Sequence, residues 1–533
     1  MPDLRSFTEK ILGNTDFLIG VELITTRGTM EQVAATRTRR FASDLVLCDQ
    51  VDWVSITDNA GGNPMLAPTS LGRPVLYAGK EVVIHLSCKD YNRHGLESQA
   101  WHLASEGFHN ILALSGDYPA QGYQGQAKPV FDIDSVGLLA LLDQMNRGLG
   151  NRPKANGLPH NAAVGTNFFC GAVATNFKRH ENEVLPQLLK MEKKLRSGAR
   201  FIIAQVGYDS RKSHEMLCYL RAQGFNDVPL IGNVFVLTLP IARFFHSGKI
   251  PGVVVSEQLL AECQRHGSGP DKGRKFFREL AARQIAVFRG LGFRGAYLGG
   301  VHDIDSINEI LEIERSFGPD DWLEFARQIR FSRPGEFFLY GEDACTGLAD
   351  PDQPHPAYCA DDRRANHNVT WGYRISRLMH EQIFVSGKPL YRFGRWIYNR
   401  SSNPQRGPLA LRVLEHASKS ALFGCQDCGD CSLPDIAYLC PESQCAKNQR
   451  NGPCGGTRDG KCEVHDFECI WSRAYDRLKW EGRQRDLLQH APVIQDETLR
   501  GTSSWSNLFL GSDHHGKKSS SAKANQDGTD GKK

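Results

Sequence analysis

Residues 82–119 read VVIHLSCKDYNRHGLESQAWHLASEGFHNILALSGDYP. The stretch begins as a short apolar run, Val82 to Leu86, whose far end carries His85, Ser87 and Cys88. A helical pattern follows, with Leu96, Ala100, Leu103 and Ala104 on one face and Gly107 just past its end. A second apolar run, Ile111 to Leu114, stops at Ser115-Gly116-Asp117. Strand, helix, strand in so little chain predicts a right-handed parallel unit. Both of its strands deliver polar side chains at their C-terminal ends.

The rest of the first half repeats that design. Apolar runs that qualify as strands begin near Phe17 (FLIGVELI), Asp52 (DWVSIT), Val82, Asn110, Asn161 (NAAVGTNFF), Arg200 (RFIIAQVG), Val228 (VPLIGNVFV) and Gly295 (GAYLGG). Amphipathic helices are predicted between most of them, at Met30 to Asp49, Val136 to Arg147, Val184 to Arg196, His214 to Gln223 and Gly273 to Gly290. The second connection, GGNPMLAPTSLGRP, is rich in Gly and Pro and reads as a loop. Strands alternating with helices over roughly 300 residues predict an α/β fold, a closed (β/α)8 TIM barrel, with an open doubly wound sheet as the rival. Gly290-Leu291-Gly292-Phe293-Arg294-Gly295 fits a dinucleotide fingerprint, but it follows a helix and precedes a strand. That is the reverse of the required context, so it reads as a helix-end turn.

Composition narrows the function. In 533 residues, 40% are hydrophobic and 23% charged, and a formal net charge of +4 gives no reason to expect nucleic acid. The first residues, MPDLRSFTEKILGNTD, lack an apolar signal region, and no run approaches a membrane span, so a cytoplasmic protein is expected. Of 15 cysteines, eight crowd between Cys425 and Cys469, which in a reducing compartment suggests metal rather than disulfides.

A barrel puts its active site at the C-terminal strand ends. Those ends are predicted to carry Glu22, Thr57 with Asp58, His85, Asp117, Gly171, Gln205, Asn233 and His302 with Asp303. Any one of these could merely cap a loop; together they form a polar rim. Cys88 and Cys170 lack an evident base and read as packed thiols.

VSITDNAGG (Val54 to Gly62), HLSC (His85 to Cys88), NILALSGDYP (Asn110 to Pro119), the Gly198-Ala199 turn and IIAQ (Ile202 to Gln205) resemble methylenetetrahydrofolate reductase, over about residues 15 to 315. The resemblance implies a flavin-containing barrel that passes hydride from NADH or NADPH to FAD, and then to 5,10-methylenetetrahydrofolate, giving 5-methyltetrahydrofolate. It assigns Glu22 as the general acid on the folate nitrogen and Asp117 to a place between flavin and pterin. It makes Gln205 the group that binds pterin and nicotinamide. Thr57, Asp58, Ala60, His85, Gly116 and Lys194 fall on flavin-contacting positions, with Lys194 placed to neutralise the FAD diphosphate. Ser115 stands where some members have arginine, and GGVHD and GNVFVLT do not match the family's folate-tail contacts. Two alternatives stay open: the same enzyme run in reverse as a methyltetrahydrofolate oxidase, and a non-redox pterin-binding barrel. The implied partners are the folate and the nicotinamide nucleotide, with a homo-oligomer allowed and neither nucleic acid nor membrane expected.

The expected domains are the barrel at 1–335, a connecting helical segment at 336–420, a cysteine-rich domain at 421–480, an extension at 481–510 and a disordered tail at 511–533. Glu336 to Tyr340 reads as a short strand, and the loop-like stretch after it as an arm over the rim. Cys425, Cys428, Cys431, Cys440, Cys445, Cys454, Cys462 and Cys469 are candidate metal ligands. The x2-x2 start and Cys440-Pro441 resemble iron–sulfur sequences, while zinc is the alternative, with His465 as a substitute ligand. NGPCGG (Asn451 to Gly456) and CIW (Cys469 to Trp471) resemble the separate C-terminal domain that accompanies the reductase in some members of the family. Eight thiols would suit two four-iron clusters, either as structural staples or as a route for electrons from a partner protein.

Overall fold

The computed structural model describes residues 5–13, 16–149, 164–250, 252–358, 367–401, 407–490 and 492–516. Eight parallel strands close a barrel: β1 (Leu18–Leu23), β2 (Trp53–Ile56), β3 (Glu81–Ser87), β4 (Asn110–Leu114), β5 (Phe169–Ala174), β6 (Phe201–Ala204), β7 (Leu230–Phe235) and β8 (Gly295–Gly299). Each pairs with its neighbours in sequence, and β8 pairs back onto β1 with Gly295 opposite Leu18. That last pairing excludes the open sheet. The strands are almost wholly buried, as parallel strands covered on both faces must be.

One end of the barrel is plugged. Helix α1 (Phe7–Leu12), held by a Ser6/Glu9 capping box, inserts Phe7 among Trp53, Phe169 and Phe201, with ring centroids 5.3, 6.1 and 5.5 Å away. The aromatic layer depends on missing side chains. A Cβ on Gly20 would lie 2.0 Å from the Trp53 ring, and one on Gly171 would lie 2.2 Å from the Phe201 ring. The opposite end, where the strands finish, is left for chemistry.

The outer layer is α2 (Val33–Val46), α3 (Pro68–Tyr77), α4 (Arg93–Ser105), α5 (Ser135–Asn146), α6 (Glu181–Arg196), α7 (Ser210–Ala222), α8 (Leu239–His246), α9 (Glu257–Gly267), α10 (Arg274–Leu291) and α11 (Ile304–Arg315). Helix α3 overturns the expected loop. Pro68 sits in its first turn, where no backbone donor is needed, and Leu71, Gly72 and Val75 form its buried stripe. Gly292 ends α10 in the left-handed conformation (φ +86°), as the helix-end turn requires. The fifth strand starts later than expected. Residues 161–163 lie outside the described residues, and 164–168 are irregular because the Asn146 side chain takes up the Thr166 hydroxyl and the Phe168 N–H and carbonyl.

Beyond α12 (Asp321–Gln328), Glu336 to Leu339 is not a strand. Instead Tyr340–Glu342 pairs antiparallel with Ala349–Pro354, and this hairpin packs on α7 outside the barrel rather than over its rim. The buried Glu215 carboxylate draws it there by accepting the Tyr340 and Leu339 N–H groups. Next come α13 (Trp371–Ile383), α14 (Pro389–Asn399), α15 (Leu409–Phe423), the cysteine-rich segment with α16 (Pro441–Gln444), α17 (Ile470–Trp480) and α18 (Ser504–Leu510). Helix α17 packs along α6, so the cysteine-rich region sits on the barrel. Residues 511–516 are ordered against it by His514 and His515, which corrects the expected start of the tail; residues 517–533 lie outside the described residues. No helix among the described residues is long and apolar enough to cross a membrane.

Candidate active site

The strand ends open into a cavity of about 330 Å³. Glu22, Thr57, Asp58, Ala60, His85, Gly116, Asp117, Lys194 and Gln205 all line it. Asn233 from β7 joins them. Gly171 does not, because it is mid-strand and makes room for Phe201. His302 and Asp303 do not either: His302 is exposed and Asp303 caps α11 through the Ser306 N–H at 2.7 Å. The contribution of β8 is Tyr297, which the alternation of its side chains turns inward.

Glu22 opens onto the cavity yet lies deep in the molecule. Burial pushes its carboxyl up to about 7, against the opposing effect of the neighbouring Tyr297 hydroxyl. Glycine at 299 keeps its space clear, since a Cβ there would stand 3.1 Å from Glu22 Oε2. His85 is buried, pairs with Ser55 Oγ through Nε2 at 2.9 Å, and is held down to about 4 by burial, so the ring is neutral near pH 7. Burial also raises Asp58, although its carboxylate accepts the Ser87 N–H and hydroxyl at 3.0 and 2.8 Å. Asp117 Oδ2 accepts the Gly61 N–H at 2.9 Å, which fixes the carboxylate beside the Ala60–Gly62 turn. Gln205 Oε1 accepts the Val206 N–H at 2.9 Å, so its amide orientation is set from within β6's own continuation.

Helix α6 supplies what strand-end reasoning missed. Gln187, Lys190 and Lys194 recur at i, i+3 and i+7 and face the cavity together. That spacing of polar residues is visible in the sequence, but it looks like a solvated face until the Gln449–Gly456 segment folds over it. Lys194 donates to the Val173 carbonyl at 2.6 Å, and burial, with Lys190 beside it, lowers its ammonium to about 7. Lys193, on the covered side, meets His490 Nε2 at 2.7 Å.

The cysteine-rich region forms the roof. Lys447, Cys454, Gly455, Gly456 and Glu463 line the same cavity. Lys447 Nζ donates to the Gly116 carbonyl at 2.9 Å and pairs with Glu463 at 2.5 Å. Lys178 reaches up to the Gly455 and Thr457 carbonyls, and Lys190 donates to Gln449 Oε1 and the Gly452 carbonyl at 2.9 and 3.0 Å. Asn451 clamps Asp134 with its backbone N–H at 3.0 Å and its amide at 3.1 Å. Burial alone would raise the Asp134 carboxyl, but Lys190 and hydrogen bonds from Gly137 and Asn451 hold it below the usual range.

The eight clustered cysteines divide into two sets. Cys445, Cys454, Cys462 and Cys469 surround one small void under Trp471, and Cys454 borders both this void and the barrel cavity. Cys425, Cys428, Cys431 and Cys440 form the other set, close enough for their charges to interact. Among the described residues no three of these sulfurs lie within 4.8 Å of one another. His465 stacks on Phe467, with centroids 5.1 Å apart, and does not border the four-thiol void.

Residues 11–287 match the family model for methylenetetrahydrofolate reductase, and residues 409–497 match that for the methylene-tetrahydrofolate reductase C terminal. Among solved structures, similar chains include an uncharacterized protein from Clostridium thermocellum, described as binding two copies of 5-methyl-5,6,7,8-tetrahydrofolic acid. It is 11% identical, covering 58% of this chain and 96% of that one at a TM-score of 0.39. A 2,3-dimethylmalate lyase is 10% identical, covering 60% and 92% at 0.30. An oxaloacetate acetylhydrolase is 11% identical with the same coverage and score.

Proposed function

The chain belongs to the methylenetetrahydrofolate reductase family, and from that premise we propose that it reduces 5,10-methylenetetrahydrofolate to 5-methyltetrahydrofolate with NAD(P)H, with FAD as resident cofactor. The observation that carries the reading is Glu22: a carboxyl raised to about 7, in one cavity with Asp117 and Gln205. Such a group keeps its proton near neutrality and can give it up during reaction.

The cavity suits a polar, anionic cofactor. Thr57 Oγ1 and Gln187 Nε2 are buried there without a hydrogen-bond partner, and buried polar atoms are rarely left so. Lys194 is a buried ammonium whose hydrogen bond goes to a carbonyl, and a phosphate would restore its full charge. Thr57, Asp58, Ala60, His85, Gly116 and Lys194 would hold FAD. When bound, FAD supplies the two-electron relay between nicotinamide and folate.

The remaining work falls to the chain. Glu22 holds a proton on its carboxyl and donates it to the folate nitrogen as the bond from that nitrogen to the bridging carbon opens. Asp117 uses one oxygen on Gly61 and offers the other to the amino group of a pterin. Gln205 offers its amide N–H group to a carbonyl of pterin or nicotinamide. The roof built from Lys447 and Cys454–Gly456 covers part of the cavity, and burial of this kind sustains the raised Glu22 carboxyl.

We propose further that the two thiol sets hold iron–sulfur clusters. A tetrahedral zinc ion draws its sulfurs to about 3.8 Å from one another, and among the described residues no three of these sulfurs are gathered within 4.8 Å. Anaerobic turnover with NADH and with NADPH, followed by identification of the folate product, tests the activity. Absence of 5-methyltetrahydrofolate with both donors would sink it. Iron, zinc and acid-labile sulfide analysis tests the clusters, and zinc without sulfide would end that assignment.

A further inference from the structure

Asp513-His514-His515 follows the last helix, outside both family matches, and plays no part in the barrel chemistry. Its side chains meet the loop of the first thiol set. His514 Nε2 and His515 Nε2 both face one carboxylate, Asp435, at 3.0 and 3.2 Å, one ring on each oxygen. The opposite nitrogens face separate carboxylates: His514 Nδ1 meets Asp430 Oδ1, and His515 Nδ1 meets Asp513 Oδ2 at 3.2 Å. The rings lie with centroids 3.9 Å apart.

This is the arrangement of a metal centre with its outer shell. Metal-bound histidines ordinarily present one nitrogen to the ion and the other to a carboxylate, which fixes the tautomer and the ring orientation. Here two histidines turn the same nitrogen towards a shared third donor, and each has its own carboxylate behind it. The ligand atoms of Asp435, His514 and His515 all lie within 4.8 Å of one another. Two donors held by zinc at about 2.0–2.1 Å stand roughly 3.3 Å apart at a tetrahedral angle, which is the size of the observed Nε2–Oδ separations. Asp430, behind His514, is buried, and the His514 ring and the Arg450 guanidinium hold its carboxyl below the usual range, so it stays an anion able to orient the ring. Without a metal, each ring would have to donate from both nitrogens at once, placing two imidazolium ions side by side with centroids 3.9 Å apart.

We propose that Asp435, His514 and His515 bind one divalent transition-metal ion, with Asp430 and Asp513 as the carboxylates that orient the two histidines. Two imidazoles and a carboxylate are the donor set of zinc with one position left open. The site ties the chain beyond α18 to the loop between Cys431 and Cys440. Asn507, donating to the Gly429 carbonyl at 2.8 Å, supports the same junction. The ion therefore acts as a clamp on the first thiol set.

The test is equilibrium dialysis of the purified full-length holoprotein against micromolar zinc, with zinc, iron and sulfide counted in the same samples. His514→Ala/His515→Ala should bind one zinc fewer per chain than the parent, with iron and sulfide unchanged. Because the readout is this difference, it stands whatever metal the thiols hold. Equal zinc in parent and double variant overturns the proposal. If the double variant does not fold, Asp513→Asn decides: loss of an orienting carboxylate should weaken zinc binding about 10- to 100-fold. Unchanged affinity in that variant overturns the proposal as well.

Discussion

Glu22 is the group on which pH should act. On the proposed mechanism its acid form is the reactive one, so the folate half-reaction should be fastest below about pH 7 and decline as the carboxyl ionises through that value. Glu22→Gln should still permit flavin reduction by NAD(P)H, which needs no proton on the folate, while the folate half-reaction falls by a factor on the order of 10² or more. Rapid mixing of the two half-reactions separates these outcomes; equal losses in both would make Glu22 a structural residue. Lys194→Met should weaken FAD retention without abolishing the fold, read as flavin lost on gel filtration. At this scale the sequence was most informative where a polar side chain ends a strand, as with Glu22, Asp117 and Gln205. It misled at His302 and Asp303, where the chain after β8 turns outwards to cap a helix. Tyr297 was hidden because an inward tyrosine two residues before a strand end looks like core.

Among the elements, α6 shows why burial could not be read locally. Its lysines look solvent-facing until the distant C-terminal region packs on the helix, with α17 alongside it and the Gln449–Gly452 loop over Lys190. Helix α3 was missed for a different reason. Gly and Pro weigh towards a loop, yet Pro68 is harmless in a first turn and Gly72 lets the helix approach Phe108. The closed barrel itself was legible, because strand and helix patterns alternate with short turns and need only β8 to find β1. Gly171, expected at the rim, belongs to the aromatic plug instead. Gly171→Ala should lower stability by about 1–3 kcal/mol through overpacking against Phe201, measured as a shift of the urea midpoint without change in slope. The roof loop is testable in the same spirit. Asn451→Ala removes a clamp on buried Asp134, admits water near the cavity, and should move the pH break of the folate half-reaction down from about 7. An unmoved break would mean that the roof does not control the Glu22 environment.

Across the whole molecule, the cysteine-rich region roofs the candidate active site. Cys454 borders the thiol void and the barrel cavity alike, so metal in that set would stabilise the roof directly. Spacing picked out eight candidate ligands; the division into two sets required the fold, since nothing in C-x2-C-x2-C-x8-C-P-x3-C says where one set stops. The most direct measurement is a visible spectrum of the anaerobically purified protein, taken first alone, then with NAD(P)H, then with 5,10-methylenetetrahydrofolate. A flavin band should be present at the start, bleach on addition of nicotinamide, and return when the folate is added. Protein that lacks flavin, or flavin that neither nicotinamide reduces, would contradict the account.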